Sequence, residues 1–456
     1  MKKTLAVIAL STLLAAPALA DSQPGDTDGG GLAMKMKGID LNFGGFIEAA
    51  SIYRSRNENS DISSKFQSIP VPGSVAAYQD ETRFTARQSR LSVMASGNAT
   101  PTIHLAGFYE MDFLGAASTA NSNESNSYNP RVRHLYTTAD WDNLGLHLLA
   151  GQTWSLVTLN NKGITPRNEV TPIVIDAQYV PGFSWTRQPQ FRITKDFNKQ
   201  LWLATSVENP QSTVGGVSVS GNNALAQSGG GSLTGVSLSQ NDVPDVVFKA
   251  AYEPGFAHFE VYDLLRTFKS TLGATANASR ETTVNSVGGG VILPLVPKML
   301  TLQVSGMYGR GNGRYGSGQL ADATQDITGQ LVPLSEAQLL TGIIYDPTSE
   351  WTFYGYYGIE EAQRRDLASG STAYGYGSGL SVAGASGMIQ RIDQFTVGTW
   401  WKFLQGSYGK MQAGLQYSYT EDKYFSGATS SKNTKQIAGP LATDQMAFVS
   451  LRYYWQ

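Results

Sequence analysis

The chain has 456 residues, no cysteine and a formal net charge of −2. Without cysteine there are no disulfide staples and no thiolate metal sites, and the near balance of charge gives no global attraction to nucleic acid. Only 15% of the residues are charged, against about 25% in soluble domains, while glycine (49) and tyrosine (22) are abundant.

The chain opens with Lys2 and Lys3, an uncharged and largely apolar run from Thr4 to Leu19, and the triplet Ala18-Leu19-Ala20. This is the pattern of a secretory signal peptide over residues 1–20. The run is short for a membrane anchor and ends at a cleavage-like site. Removing it also removes two lysines and takes the net charge to −4. Residues 21–37 are polar and glycine-rich and read as a short disordered periplasmic leader. Residues 38–456 read as one barrel domain.

After residue 20 no apolar stretch is long enough for a spanning helix. A membrane crossing would therefore use strands, since only helices and closed barrels satisfy their backbone in lipid. The apolar residues recur with a period of two. Strand-like runs fall at 41–54, 82–95, 103–113, 131–141, 144–154, 183–194, 201–207, 246–253, 257–261, 283–293, 299–308, 336–345, 351–360, 391–404, 411–420 and 447–455. That makes sixteen, most of them of crossing length, and an even number of open-porin size. The fold expected is all-β: a transmembrane, antiparallel, up-and-down β-barrel. Its connections alternate between tight turns, such as Glu253-Pro254-Gly255 and Asp346-Pro347-Thr348, and long Gly/Ser/Asn-rich segments. Soluble sandwiches and propellers also alternate, but with strands about half as long.

The first basic cluster is Arg83, Arg87 and Arg90. Arg83 and Arg87 share a face at period two and Arg90 does not. Phe84 and Ala86 likewise lie on one parity, Leu91 and Val93 on the other. Left in an unbroken ladder, Arg90 would face lipid at a cost of about 2–4 kcal/mol. A bulge between Arg87 and Arg90 would turn all three arginines inward. Arg131 and Arg133 lie on a nearby strand, with Glu110 and Asp112 on the strand between. Arg187, Arg192 and Lys195 make a third patch. A lumen lined by Arg83, Arg87, Arg90, Arg131, Arg133 and Arg192, partly neutralised by Glu110 and Asp112, would lower the barrier for anions while letting them leave. The segment 155–181 is long enough to fold into the pore. It carries Arg167, Glu169 and Asp176, whose carboxylates could face the arginine wall across a constriction.

The stretches Phe84-Thr85-Ala86-Arg87-Gln88-Ser89-Arg90-Leu91, Phe108-Tyr109-Glu110-Met111-Asp112-Phe113-Leu114-Gly115, Pro130-Arg131-Val132-Arg133-His134-Leu135-Tyr136, Gly151-Gln152-Thr153-Trp154-Ser155 and Arg187-Gln188-Pro189-Gln190-Phe191-Arg192 resemble the DcaP-like branch of the bacterial outer-membrane porins. That resemblance implies a trimeric, sixteen-stranded channel with a basic constriction, associated with small anions, dicarboxylates among them. By it, Arg87, Arg90, Arg131 and Arg133 are the leading lumen candidates. It also implies an outer-membrane location in contact with lipid and lipopolysaccharide. The family's fuller members carry an N-terminal helical extension, for which only residues 21–37 are available here. The chain also ends Tyr453-Tyr454-Trp455-Gln456, one residue past the terminal aromatic usual in such barrels.

No catalytic constellation competes with this reading. The four histidines, His104, His134, His147 and His258, fall in no HExxH motif, and no serine sits in a Gly-x-Ser-x-Gly elbow. No metal or cofactor is implied. A sugar-selective porin is the main alternative, with stacking surface from Trp351-Thr352-Phe353-Tyr354-Gly355-Tyr356-Tyr357. An adhesin or an enzyme barrel stands behind it.

Overall fold

In the computed structural model the described residues are 32–115, 129–216, 225–226, 242–271, 279–367, 375–377, 385–430, 433–437 and 439–455. Sixteen wall strands cross in order. They are β1 (Ile39–Arg54), β2 (Glu81–Thr85 continued by Arg90–Thr100), β3 (Ile103–Gly115), β4 (Asn129–Trp141), β5 (Leu146–Trp154), β6 (Arg187–Phe197), β7 (Leu201–Glu208) and β8 (Asp245–Tyr252). They continue with β9 (His258–Thr271), β10 (Ser279–Val296), β11 (Leu300–Arg310), β12 (Ser335–Tyr345), β13 (Trp351–Ala362), β14 (Ala385–Gly406), β15 (Gly409–Ser430) and β16 (Leu441–Tyr454). Each pairs antiparallel with the next. β1 closes on β16, from Phe46 opposite Tyr454 to Arg54 opposite Met446. Closure removes both sheet edges, which is what a membrane demands of strands.

Each of the sixteen expected runs corresponds to one wall strand. Several strands extend beyond the run, and β6 starts at Arg187 rather than at residue 183. One difference lies at the start. Residues 32–36, expected in the disordered leader, form a strand antiparallel to Ile39–Phe43. The turn between them is Lys37-Gly38, with φ of 47° and 85°, as two-residue hairpins require. Residues 1–31, on which the expected signal peptide and most of the expected leader fall, lie outside the described residues.

Side-chain directions invert the usual order of a soluble protein. On β16, Val449 (53% exposed) and Leu451 (43%) point outward, while Ser450 and Arg452 are buried inside. β7 and β9 repeat this with Leu201, Leu203 and Val207, then Phe259 and Val261. An apolar outer band and a polar interior are what lipid outside and water inside select.

The expected kink in β2 is present. Thr85 pairs with Ala50 and Arg90 with Phe46. Four residues, 86–89, therefore stand opposite three, 47–49. Before the kink the inward residues are Glu81, Arg83 and Thr85; after it they are Arg90 and Ser92. Ser89 stitches the gap: its Oγ accepts from Glu48 N–H (2.9 Å) and donates to the Ala86 carbonyl (2.7 Å). A second bulge lies on β4. Glu110 pairs with His134 and Met111 with Val132, leaving Arg133 extra, so Arg133 and His134 both point inward and are buried.

The strand ends that lead into long connections lie at one rim and those joined by tight turns at the other, as in outer-membrane barrels. Among the described residues, loop A (residues 55–80), loop B (155–186) and loop C (311–334) enter the lumen. Loop B crosses to the far wall. Ile173 N–H donates to Tyr356 Oη (3.3 Å), the Ile173 carbonyl accepts from Trp400 Nε1 (2.8 Å), and Ile175 N–H donates to Gln416 Oε1 (2.5 Å). Ile173, Ile175, Val180 and Phe183 pack with Ile52, Tyr354, Tyr356, Trp400 and Phe448 of the wall. Each buried apolar side chain of this kind contributes roughly 1.5–3 kcal/mol. Gly182 (φ +84°) lets loop B press on β12, where a side chain would run into the Leu339 carbonyl.

Loops A and C lock onto loop B. Ala177 N–H donates to the Ile62 carbonyl (3.1 Å), and Ser317 N–H to the Phe183 carbonyl (3.0 Å). Gln178 Nε2 donates to the Ser317 carbonyl (2.6 Å). Phe66 and Ile69 of loop A pack with Leu320 and Leu334 of loop C against Ile392, Tyr424 and Ala442 of the wall.

Candidate functional site

The interlocked loops leave an open vestibule on the long-connection rim, a cavity of about 1690 Å³. Its lining combines residues 59–68 of loop A, part of β2, the rim ends of β3 and β4, residues 185–189, and loop C from Arg314 to Ala321. Among the described residues six cationic side chains border it: Lys65, Arg83, Arg87, Arg131, Arg187 and Arg314. Among the described residues the one carboxylate in the lining is Asp61.

The strands explain how the basic groups come together. The kink in β2 delivers Arg87 to the wall top, where its Nε and Nη2 donate to the carbonyls of Phe113 and Gly115 (both 3.0 Å) and its Nη1 to Asp61 (3.1 Å). Arg83, nearer the rim, is half-exposed and pairs with Glu81 (3.4 Å). Arg131 grips Asp112 with two parallel bonds, Nε to Oδ1 (2.9 Å) and Nη2 to Oδ2 (2.6 Å), the strong fork geometry of guanidinium on carboxylate. Arg314 reaches Asp245 (2.9 Å) and Gln188 (3.0 Å).

Three expected lining arginines do not border the vestibule. Arg90, Arg133 and Arg192 point inward, but each is no more than 3% exposed. Arg90 lies over the Phe46 ring (5.3 Å). Arg133 is held by Glu110 (2.6 Å) and Asp112 (3.2 Å) and extends to Tyr179 Oη (3.5 Å). Arg192 donates to Gln190 (3.0 Å) and the Trp154 carbonyl (2.8 Å). Loop B covers this part of the wall, so these charges brace it. Glu110 and Asp112 are buried as well and act as their counter-charges.

The constriction loop enters as expected, but its charges do not oppose the arginines. Asp176 is 1% exposed. Its carboxylate accepts from Ser64 Oγ (2.5 Å), Ser64 N–H (3.1 Å) and Gln178 N–H (2.9 Å). Burial raises its pKa, while Ser64 and Arg54 pull the other way. It therefore ties loop B to loop A. Glu169 is half-buried, with Oε1 shut away and without a hydrogen-bond partner. Burial raises its pKa against the pull of Arg192. Arg167 (φ +67°) lies over Phe108 (5.9 Å) with Nη1 near Met94 Sδ (2.8 Å). None of the three lines the vestibule.

Loop B contains one group that reports the local potential. Burial alone would raise the Tyr179 phenol, but Arg133, Arg90 and Arg187 around it outweigh burial and bring it down to about 8.

The aromatic run 351–357 does not offer a saccharide platform. Trp351, Phe353 and Tyr357 lie on the outer face of β13, with Trp351 stacked on Phe353 and on Trp401 (both 5.7 Å) near the tight-turn rim, as an interfacial girdle is. Tyr354 and Tyr356 point inward beneath loop B.

No family model and no curated protein matches the chain. Solved structures do. The outer-membrane channel DcaP of Acinetobacter baumannii superposes with a TM-score of 0.67 at 18% identity, over 92% of this chain and 99% of that one. Salmonella typhi OmpF, solved in complex with daunomycin, gives 0.51 at 10% identity, over 93% and 100%. The chain has the fold of the outer-membrane porins. At these identities the likeness establishes architecture, and the porin-type barrel must be read for function from its own lining.

Three lining cations, Lys65, Arg187 and Arg314, escaped the candidate set drawn from sequence. Arg314 lies in a loop with no period to read. Arg187 was visible in the third basic patch, but its partner Trp154, opposite it across the β5–β6 ladder, becomes evident only from the pairing.

Proposed function

We propose that the protein is an outer-membrane porin that passes small hydrophilic solutes and favours anions, carboxylates and dicarboxylates among them. The observation that carries this is the vestibule lining, with six cations against one carboxylate in a chain whose net charge is negative. In a water-filled vestibule each exposed charge is screened, so the preference expected is modest and salt-dependent. The outer membrane, with lipopolysaccharide against the outward apolar band, is the setting the fold suits. A homotrimer follows from the resemblance to the DcaP-like porins.

Planar-bilayer recording tests the reading. Purified, folded protein should give stepwise conductance, with a reversal potential on the anion side in a KCl gradient that shrinks as salt rises. Reversal on the cation side would overturn the selectivity. No conductance from folded protein would overturn the channel.

A further inference from the structure

A second basic cluster lies on the long-connection rim and shares no lining residue with the vestibule. A cavity of about 540 Å³ opens there between the end of loop C and the tops of β10 to β13. Arg310, Arg364 and Arg365 line it, with Gln330, Ser335 and Gln363 between them. The strand register sets the polar groups in a row. Arg310 is the last residue of β11 and pairs with Ser335, the first of β12. Gln363, just past β13, donates its N–H to the Ser335 carbonyl (2.8 Å), and Arg365 follows two residues on.

This row stands on the outer face. On β11, Met307 is buried inside and Tyr308 is 57% exposed on the lipid side, so Arg310 continues that outer face by period two. Lower on β12, Leu339 and Ile343 are exposed and belong to the apolar band. Tyr308 sits roughly 7 Å beneath Arg310 at the rise of a strand, and a tyrosine at the top of an apolar band marks headgroup depth. The charges of the row are not matched by acids. Among the described residues no carboxylate forms an ion pair with Arg310, Arg364 or Arg365. Arg364 donates instead to the carbonyls of Gly377 (2.5 Å) and Ser426 (2.6 Å). Asp326 is the acid among the lining residues described, and its Oδ1 already accepts from the N–H groups of Thr328 (2.8 Å) and Gln330 (3.0 Å). The segments next to these elements in sequence, 272–278, 368–374 and 378–384, contain no Asp or Glu.

We propose that Arg310 and Arg365, with Arg364 behind them, hold a phosphate group of lipopolysaccharide, the anionic glycolipid of the outer leaflet. The inference rests on the outer-membrane setting and not on the ion preference of the lumen. It goes beyond contact along the apolar band, because it names the group recognised and the arc of wall, β11 to β13, that recognises it. Guanidinium matches phosphate oxygens in a fork, and a basic pocket beside a lipid-facing wall binds anionic headgroups. Arg280 Nη1 donates to Gln330 Oε1 (3.3 Å), which leaves the Gln330 amide hydrogens for an acceptor in the cavity. The acyl chains of the same lipid would lie on the band below, past Tyr308 and Leu339.

The test is a titration of the folded barrel in detergent with lipid A, read by native mass spectrometry. The probes are lipid A with its phosphates, lipid A stripped of them, and inorganic phosphate as a competitor. Wild type should bind the phosphorylated form about tenfold more tightly than the stripped form, the expected worth of a charge-assisted contact. The double variant Arg310→Gln with Arg365→Gln should lose that preference. Arg83→Gln, a half-exposed arginine of the vestibule, should change it less than about twofold, since its charge lies on the other cavity. Heat-modifiable migration on gels checks that each variant is folded. Equal affinity of wild type and the folded double variant for the phosphorylated lipid overturns the site. Full competition by inorganic phosphate, which has no chains to lie on the band, would assign the pocket to free phosphate and overturn the lipid. Reversal potential in planar bilayers, recorded on the same preparations, separates this site from the lumen. The double variant should keep the wild-type value, and a shift would place these arginines on the solute path and overturn the lipid assignment. Loss of the lipid preference in wild type with anion-side reversal intact strikes the site alone. Cation-side reversal with the preference intact strikes the anion path alone and supports the site.

Discussion

The two sides of the lumen handle buried charge in opposite ways. Along β2 to β6, arginine and carboxylate alternate across neighbouring strands, and the buried guanidinium of Arg133 is matched by Glu110 and Asp112. On the adjoining stretch of wall, where β1, β15 and β16 meet loop A, carboxylates outnumber their partners. Arg54, fully buried, holds Glu58 and Glu81 at 3.5 Å each, while Asp422 and Asp444 of β15 and β16 are also fully buried. Both Asp422 oxygens, one Asp444 oxygen and one Glu58 oxygen have no hydrogen-bond partner. The difference teaches that the sign of the vestibule is set by coverage rather than by composition. The loops bury the surplus acids on one side and leave bases open on the other, so a net-negative chain presents a positive mouth.

The sharpest way to break the contrast is to unbalance the paired side. Asp112 is fully buried and serves both Arg131 and Arg133. Replacing it with Asn takes the carboxylate from partly exposed Arg131 and one of two from buried Arg133, which keeps Glu110, so the cost should fall at or below the lower end of the roughly 3–5 kcal/mol of a broken buried pair. Thermal unfolding of the folded barrel in detergent, followed by the loss of its compact gel band, should show a lower midpoint for Asp112→Asn. An unchanged midpoint would mean that the paired side is not braced by its charges.

On the acid side the same kind of substitution should act in the opposite direction, and only at higher pH. Burial, with help from Asp444 and Asp176 and against the pull of Arg54, raises Glu58 to about 7. A carboxyl raised in the folded state binds its proton more tightly there than in the unfolded chain. Its stabilising contribution is complete below the ordinary range near 4.5 and is lost as pH climbs through 7, an effect of at most about 3 kcal/mol. Glu58→Gln copies the neutral form and keeps a carbonyl for the Lys65 N–H that now bonds Oε2 (3.0 Å). The variant should match wild type at pH 4 and exceed it at pH 8, whether read by unfolding midpoint or by protease cutting in loop A. Equal stability at both values would show that the acid cluster is relaxed by water or an ion.

These two sides were not equally legible in sequence. The wall was, because period two is written into every strand and the parity break between Arg87 and Arg90 marks the first bulge. The bulge at Arg133 was not, since Arg131 and Arg133 keep one parity and only His134 departs from it. Infolding was legible for loop B from its length. It was missed for loops A and C, although Ile62, Phe66 and Ile69 in loop A are apolar residues that a solvated loop has no reason to carry. Pairing was the least legible, because Asp61 and Asp245 reach their arginines from loops and strands far away in sequence. A basic cluster in one dimension therefore named Arg90, Arg133 and Arg192, which are buried, and passed over Arg187, which is not matched.

The smallest expected effect sits where loop B meets the paired side. Tyr179 Oη lies 3.5 Å from Arg133 Nη2, and its phenol is drawn down to about 8 by the arginines against the effect of burial. Below that pH the ring is neutral; above it the ring carries a negative charge beside the basic wall. Anion preference, read as reversal potential in a fixed salt gradient, should therefore weaken as pH rises through 8, and Tyr179→Phe should remove that step while leaving the value at pH 7 unchanged. The acid side has its own titrating group in Glu58 of loop A, raised by burial to about 7. A step that persists in Tyr179→Phe but disappears in Glu58→Gln would place the controlling charge in the acid cluster and reverse the assignment of the two sides.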